Sequence, residues 1–439
     1  MDVQDEGCVT MNVLVIGSGG REHALVTALA ASPKCGRLYC TPGNPGIAEQ
    51  AECVSLPIKG DFEPLIQWCH KQAIDLVVVG PEDPLAAGLV DALQRARIPA
   101  FGPTAEGARL EADKRFAKQL MVEAGIPTAG ARHFSSLPEA MGYLERIEPP
   151  YVIKATGLAA GKGVTIAENR AQAEAALSRC LEQNIFGPAG EQVLIETFLE
   201  GEEASLLAFT DGHVIRAMAS SQDHKPVYDG DEGPNTGGMG AYSPAPVITP
   251  ELYAQCQRQI LQPCLDALKN LGIDYRGVLY AGLMITREGP HVVEFNCRFG
   301  DPETQALLPR LRNDLLEVML ACTEGRLESI DLQWREESAV CVIAASGGYP
   351  GPYEQGKLIR GLDRIPANHD VMIFHAGTAF DEQQRLVTAG GRVLGLTVKD
   401  TYLRVAIERA YELMEHIHFE NMHYRTDIGY RALGRQQPR

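Results

Sequence analysis

The sequence has no two cysteines at CxxC spacing and no two histidines at HxxxH or HExxH spacing, although it contains 11 of each. That argues against a Cys/His zinc site. His416 and His418 stand two apart on an expected helix, so they point to different faces. The cysteines are scattered and odd in number, and several, such as Cys297 and Cys341, sit among apolar residues. They read as reduced core thiols of a cytoplasmic protein. There is no surplus of positive charge: the formal net charge is −17. A whole-chain footprint for nucleic acid is therefore missing, and only a local basic pocket for a phosphorylated small molecule stays open. No apolar run reaches the roughly 18 residues that span a bilayer, so no membrane partner is expected. The first ten residues, MDVQDEGCVT, lack the basic flank and apolar core of a secretory signal. They are expected to form a loose extension, with Met11 as an alternative start. Internal repeats and low-complexity tracts are also missing.

What is present is a chain of 439 residues with 45% hydrophobic and 22% charged residues, enough for two to four globular domains. Residues 12–32 read as strand, glycine turn and helix. The short strand at 37–41, the buried strand 75-DLVVVG-80, a helix reaching about Arg97 and a further short strand before 102-GPT-104 follow. Strands alternating with helices indicate a parallel α/β sheet, which ends near Ala112. A helix at 113–125 stops at a glycine followed by Ile-Pro. Residues 151–167 read as a hairpin with a glycine-rich tip, then a helix at 170–183 and a strand at 192–197. A second hairpin spans 204–219 with an Asp-Gly turn. The polar stretch 220–244 reads as a long loop, and its mix of Asp, His, Lys and Asn favours a functional one. A helix at about 250–271, strands at 278–286 and 290–298, and a helix from about 303 to 324 follow. A last α/β segment begins near Ser338.

Three local patterns carry chemistry. The turn 17-GSGGREH-23 between the first strand and helix suggests a phosphate at the helix N-terminus, against the plainer reading of a tight turn. It fails the dinucleotide fingerprint G-x-G-x-x-G, because the sixth position is Glu22. The tip 154-KATGLAAGKGV-164 is one residue short of a Walker A loop and has glycine in place of its hydroxyl residue, so it is not a P-loop. Its backbone N–H groups can instead fold over phosphates, and Lys154, flanked by apolar residues, requires an anion. The segment 196-ETFLEGEEAS-205 offers free backbone groups to an adenine edge and a carboxylate to a ribose, or is a solvated acidic turn.

The stretch 292-VVEFNCRFGDPETQ-305 is the most informative. On a strand, Glu294, Asn296 and Arg298 share one face, and Val293, Phe295 and Cys297 take the other. The polar face presents two oxygen ligands about 7 Å apart, a set that suits Mg²⁺ bound together with substrate phosphates. The alternative is an exposed strand face. Gly300, Asp301 and Glu303 follow at once and would crowd acid beside acid without a cation.

The ordered set GGREHA, GPEDPL, FGPT, KATGLAAGKGV, ETFLEGEEAS, SQDHK, GPNTGGMGAYSP, VEFNCRFGDPETQ, GGYPG and HAGT resembles the glycinamide ribonucleotide synthetase (phosphoribosylamine–glycine ligase) family of ATP-grasp enzymes, from about Met11 to Gly434. The resemblance implies an α/β and α+β multidomain fold. Its parts are a Rossmann-like N-terminal α/β domain at 11–112, ATP-grasp lobes at 113–336 with a lid at about 133–198, and a C-terminal α/β domain at 337–436. It implies an ATP-dependent carbon–nitrogen ligase of purine biosynthesis, with glycine and 5-phosphoribosylamine as substrates. ATP is the co-substrate and Mg²⁺ the metal, with Mn²⁺ as the alternative. A cytoplasmic monomer is expected, with a weak dimer as the other option.

The resemblance also assigns residues. Glu294 and Asn296 match the metal ligands. Lys114 and Lys154 match lysines that reach the nucleotide phosphates, and Gly161, Lys162 and Gly163 lie in the loop that closes over them. Glu196, Phe198 and Leu199 match the adenine hinge, and Glu203 the ribose carboxylate. Arg298 is assigned to the transferring phosphoryl group and Asp223 to the glycine ammonium. Gly19, Gly20, Arg21 and Glu22, with Pro81 and Glu82, would face phosphoribosylamine, and Asp301 and Glu303 its ribose or a second metal. Two departures stand out. Thr156 replaces the aspartate of a KADG pattern, which predicts altered loop dynamics, and the strand 279–285 lacks an acid, which thins the metal set. The competing readings are another ATP-grasp ligase or a carboxylase, a nicotinamide dehydrogenase, and an inactive nucleotide-binding module.

Overall fold

The structure is a computed structural model that describes residues 10–157, 163–366 and 368–435. Its N-terminal sheet is parallel, in the order β3-β2-β1-β4-β5: β1 (Met11–Gly17), β2 (Cys35–Pro42), β3 (Glu52–Cys53), β4 (Leu76–Val79) and β5 (Ala100–Phe101). Helices α1 (Gly20–Ala30), α2 (Glu63–Lys71), α3 (Glu82–Ala86), α4 (Leu89–Arg95) and α5 (Ala105–Ala112) connect the strands and lead out of the sheet. Because side chains alternate along a strand, β1 feeds two cores. Leu14 and Ile16 pack with Leu206 and Leu279, whereas Val13 and Val15 pack with Leu207, Phe209 and Met319. The first sheet is thus cemented on both faces to the region that follows it. The single helix expected before residue 97 is two, because Gly88 adopts φ 85° between them. That left-handed conformation suits glycine and stops α3.

Helix α6 (Lys114–Glu123) starts at Asp113, whose side chain accepts from the Arg115 and Phe116 N–H groups. It leads to a small lid: β6 (Ala131–Phe134), α7 (Leu137–Leu144), β7 (Tyr151–Ala155), β8 (Val164–Ala167), α8 (Arg170–Leu181) and β9 (Val193–Thr197), with sheet order β6-β9-β7-β8. The lid has its own core, built from Tyr151, Ile153, Val193, Ile195 and the facing residues of α7 and α8.

The next lobe is an antiparallel sheet in the order β11-β10-β16-β17. It comprises β10 (Glu202–Asp211), β11 (Ile215–Ala217) and, further along, β16 (Arg276–Thr286) and β17 (Gly289–Asn296), backed by α9 (Pro250–Cys256) and α10 (Gln262–Asn270). The stretch expected to be a loop contains four short strands: β12 (Gln222–Asp223), β13 (Pro226–Tyr228), β14 (Glu232–Asn235) and β15 (Gly240–Ser243). Two of them belong elsewhere. β12 and β15 complete the five-stranded C-terminal sheet, β12-β15-β18-β22-β19. Its other members are β18 (Ser338–Ala345), β19 (Val371–His375) and β22 (Arg392–Asp400), and the hairpin of β20 (Thr378–Phe380) and β21 (Leu386–Thr388) lies beside it. In space, therefore, that sheet crosses the division expected near residue 337.

The helix expected over 303–324 is also broken. It forms α11 (Glu303–Leu307), a 3-10 turn at Leu308–Arg310 containing Pro309, an extended Leu311, and α12 (Leu315–Glu324) capped by Asp314. Proline without an N–H, followed by an Asp cap, resets the chain direction. Helices α13 (Leu403–Met414) and α14 (Tyr430–Arg435) finish the fold. No described helix is long and apolar enough to cross a membrane.

Candidate active site

A cleft of about 330 Å³ lies between the lid and the β16–β17 lobe, with N-terminal and C-terminal residues closing its far end. Three of the four lid strands turn alternate side chains toward it: Val152 and Lys154 from β7, Val164 and Ile166 from β8, Leu194 and Glu196 from β9. Ile153 and Ile195, between the members of these pairs on β7 and β9, fill the lid core, as period-2 alternation requires. The result is an apolar wall with two charged tips, continued at Phe198 and Leu199. Such a slot suits a flat heterocycle with a polyanionic tail.

Strand β17 forms the opposite wall. Phe295 and Cys297 are buried in the core, while Glu294, Asn296 and Arg298 line the cleft. The register against β16 slips between Gly282 and Leu283, which leaves Val293 as an extra residue. That bulge re-aims the backbone, and the Val293 carbonyl accepts a hydrogen bond from Lys154 Nζ at 2.9 Å. Neither the Glu294 nor the Asn296 side chain is engaged in a hydrogen bond among the described residues. Burial would raise the Glu294 carboxyl, but Lys225, Lys154 and Lys114 outweigh it and hold the pKa below the usual range. A charged carboxylate and a neutral amide, both with open oxygens, fit a hard divalent cation that takes its remaining ligands from phosphates and water. No group of three or more His, Cys, Asp or Glu among the described residues forms a closed metal cage.

The buried charges are paired across segments far apart in sequence. Glu196 stands between Lys118 and Lys154, at 2.7 Å from each ammonium. Burial pushes its carboxyl up, and the two lysines more than reverse the effect. Lys118, on α6, also donates to Thr128 Oγ1 and the Ala129 carbonyl. Lys114 Nζ donates to the Gly157 carbonyl at 3.1 Å, which ties α6 to the hairpin. Arg298 spends its whole guanidinium: Nε on Glu82 at 3.2 Å, Nη2 on Glu111 at 2.8 Å and Nη1 on the Phe299 carbonyl. Burial raises the Glu82 carboxyl, yet Arg298 and Arg21 bring it down to about 2. The Glu111 carboxyl stays above its usual range because of burial, and it also accepts from the Cys297 N–H at 2.8 Å.

A second group of carboxylates sits toward the far end. Asp223 is buried, and burial, reinforced by Glu303, Glu203 and Glu294, pushes its pKa up to about 7 against the pull of Lys225. Lys225 Nζ pairs with Glu203 at 3.0 Å. Tyr280 donates its hydroxyl hydrogen to Glu303 at 2.5 Å. Asp301 accepts from the Arg21 N–H at 3.3 Å and from Gln305 at 2.8 Å, and pairs with Arg392 at 3.3 Å.

Three models of phosphoribosylglycinamide synthetase match the chain in order: its N domain at residues 11–111, its ATP-grasp (A) domain at 112–304 and its C domain at 339–431. The chain belongs to the phosphoribosylglycinamide synthetase family. It is 50% identical over 426 residues to the phosphoribosylamine–glycine ligase of a Nostoc strain, covering 96% of this chain and all of that one. The ligase of the same name from Phenylobacterium zucineum is likewise 50% identical, over 97% of this chain and 100% of its own. Among solved structures, the phosphoribosylamine–glycine ligase of Thermotoga maritima superposes with a TM-score of 0.82 at 32% identity, covering 95% of this chain and 99% of its own. A biotin carboxylase domain from Hydrogenobacter thermophilus, solved with MgADP and bicarbonate, reaches 0.73 at 14% identity over 95% of this chain and 92% of its own, a likeness of fold alone.

Most of the residues expected from this synthetase family's motifs meet in the one cleft: Arg21, Glu82, Lys114, Lys154, Glu196, Phe198, Leu199, Glu203, Asp223, Glu294, Asn296, Arg298, Asp301 and Glu303. Gly161 and Lys162 lie outside the described residues. Gly163 is buried in the hairpin, where its carbonyl accepts from the Ala155 N–H. Gly19, Gly20 and Pro81 are not among the residues that line the cleft. Glu22 corrects an expectation. Its carboxylate accepts from the Gly19 N–H and from Arg21 Nε, both at 2.6 Å, and fills space that Gly17 and Gly80 leave open. It clamps the turn and does not face the cleft. With the Arg21 N–H given to Asp301, the turn holds carboxylates where an anion was expected. The sequence reading missed Glu111, Lys118, Tyr280 and Arg392, along with the apolar wall and the pairing role of Lys225. The period-2 pattern of β7, β8 and β9 was the one available signal for the wall.

Proposed function

We propose that this chain joins glycine to 5-phosphoribosylamine at the expense of ATP, giving glycinamide ribonucleotide, ADP and phosphate in the synthesis of purines. The observation that carries this reading is the meeting, in one cleft, of lysines from α6 and the lid, a carboxylate–amide pair and a second set of carboxylates, in a family whose full-length relatives bear that activity in their names. Adenine enters the apolar slot against Val152 and Leu194, near Phe198 and Leu199. The phosphate chain runs past Lys114 and Lys154 toward β17. Glu294 and Asn296 would hold a divalent cation there, Mg²⁺ foremost, which when bound screens the phosphate charge.

Asp223 holds the glycine ammonium, so that a carboxylate oxygen attacks the γ-phosphorus in line and the bond to ADP breaks. Arg298, fixed by Glu82 and Glu111, keeps positive charge beside the transferring group. The amine nitrogen of phosphoribosylamine then attacks the carbonyl carbon of glycyl phosphate. The carbon–oxygen bond to phosphate breaks, phosphate leaves, and the nitrogen loses a proton. Enclosure between lid and lobe keeps water from the acyl phosphate.

The test is phosphate release with Mg-ATP, glycine and phosphoribosylamine generated in the assay, each component omitted in turn. Release that requires all three is the expected result, and bicarbonate should make no difference. Release independent of glycine or of phosphoribosylamine would move the enzyme to another substrate pair.

A further inference from the structure

The motif 234-PNTGG-238 lies in the cleft lining through Asn235, Thr236 and Gly237, yet nothing in the ligase reading uses it. Its partner is Arg392, at the start of β22 in the C-terminal sheet. One guanidinium nitrogen, Nη1, makes every contact that anchors this arginine. It donates to the Asp301 carbonyl at 2.6 Å and the Gly237 carbonyl at 2.7 Å, and stands 3.3 Å from the Asp301 carboxylate. The guanidinium lies flat on Gly237, where a Cβ would come within 3.0 Å of its central carbon. Nε and Nη2 have no hydrogen-bond partner among the described residues. The residue, which lines the cleft, is thus gripped by one corner of its fork, with the other two nitrogens lying over Gly237.

The other cations of the cleft each have a protein partner, and Lys114 and Lys154 serve the nucleotide phosphates in the reading above. Arg298 gives its three nitrogens to Glu82, Glu111 and the Phe299 carbonyl, while Arg21 gives Nε to Glu22 and Nη1 to the Phe299 carbonyl and keeps Nη2 at ion-pair distance, 3.8 Å, from Glu82. Lys118, Lys154 and Lys225 each hold a carboxylate. Lys114 is tied to the hairpin. The glycine turn of the N-terminal domain has its Gly19 and Arg21 N–H groups on carboxylates. A phosphomonoester at this end of the cleft therefore meets one uncommitted fork, and two parallel N–H donors match two phosphate oxygens.

We propose that Arg392 is the specificity-determining residue for the phosphate of the amine substrate, with Gly237 required for the flat approach of its guanidinium. The inference rests on the ligase reading above and supplies that reading with its phosphate site. It is tested with amines made in the assay from ammonia and either ribose 5-phosphate or ribose. The wild-type enzyme should prefer the phosphorylated amine strongly in kcat/KM. Arg392→Gln should lower that preference by about tenfold or more, as loss of a charge-assisted pair implies. Arg392→Lys, which keeps the charge without the fork, should fall between the two. KM for ATP and for glycine, and glycine hydroxamate formed from ATP, glycine and hydroxylamine, should stay within twofold in both variants. An unchanged preference in the two variants would overturn the proposal, as would equal loss with both amines, which is what a purely structural strap predicts. Wild-type enzyme that forms no hydroxamate and consumes neither amine would instead refute the ligase reading itself.

Discussion

Replacing Glu196 with alanine isolates the counter-ion that the lid lysine keeps before nucleotide arrives. The carboxylate stands 2.7 Å from both Lys118 and Lys154, and all three side chains are at most 6% exposed. At an effective dielectric of about 20, each contact is worth roughly 4 kcal/mol before desolvation. Stripping one partner from a buried ion pair costs about 3–5 kcal/mol net, because the remaining charges stay buried and unbalanced. The loss should fall on the junction of α6 with the lid. It should also depend on ligand, since nucleotide phosphates would give Lys154 a replacement anion. Thermal unfolding followed with and without a saturating non-hydrolysable Mg-ATP analogue reads both effects. The variant should melt several degrees below wild type without ligand, and the gap should shrink by half or more with it. A gap that nucleotide leaves untouched would refute the idea that Lys154 exchanges Glu196 for phosphate. No gap at all would refute the buried pair.

Further outcomes follow from the same geometry. Glu294→Ala should abolish phosphate release, with its circular dichroism spectrum unchanged. Full activity would remove the metal assignment. Glu111→Gln takes one of two carboxylates from Arg298, so kcat should fall by about tenfold or more while KM for ATP holds; a change confined to KM for ATP would contradict the positioning role. Asp223, whose pKa burial pushes up to about 7, binds its proton more tightly folded than unfolded. Stability from this group is greatest at low pH and is lost as pH rises toward 7, so Asp223→Asn should gain stability at pH 8, by up to about 4 kcal/mol, and little at pH 4. A denaturation series in which the variant's advantage grows as pH falls would reverse that sign.

The face of β17 was legible because strand periodicity puts Glu294 and Asn296 together whatever surrounds them, and Arg298 follows on the same side just past the end of the strand. The bulge at Val293 was not, since it depends on the register with β16. Arg298 announced itself as a cation near acids, but its fixed position comes from Glu82 and Glu111, 216 and 187 residues away. No local pattern encodes such a pairing. Glu22 was legible as a failed fingerprint, and the failure has a physical reason: its side chain folds back under the turn into the room left by two glycines. The expected helices around residues 88 and 311 broke at a glycine and a proline, because helical periodicity on either side masks a local change of direction. The segment 220–244 looked like a loop because strands of two to four residues have too few positions to show alternation.

The pairing of β15 with β18, and of β12 with β15, has a consequence for how the molecule is made. Asp223 and Lys225 emerge from the ribosome more than a hundred residues before the strand that fixes them. Until β18 has been synthesised, β15 is an uncovered edge, and β12 with the segment after it is held only by β15 and by the bridge from Ser221 to Ser205 of β10. The nascent chain should stay chemically silent through most of its translation. A chain cut near residue 337 should give two sticky fragments that recover activity by reassembling with each other, as neither fragment contains the whole sheet.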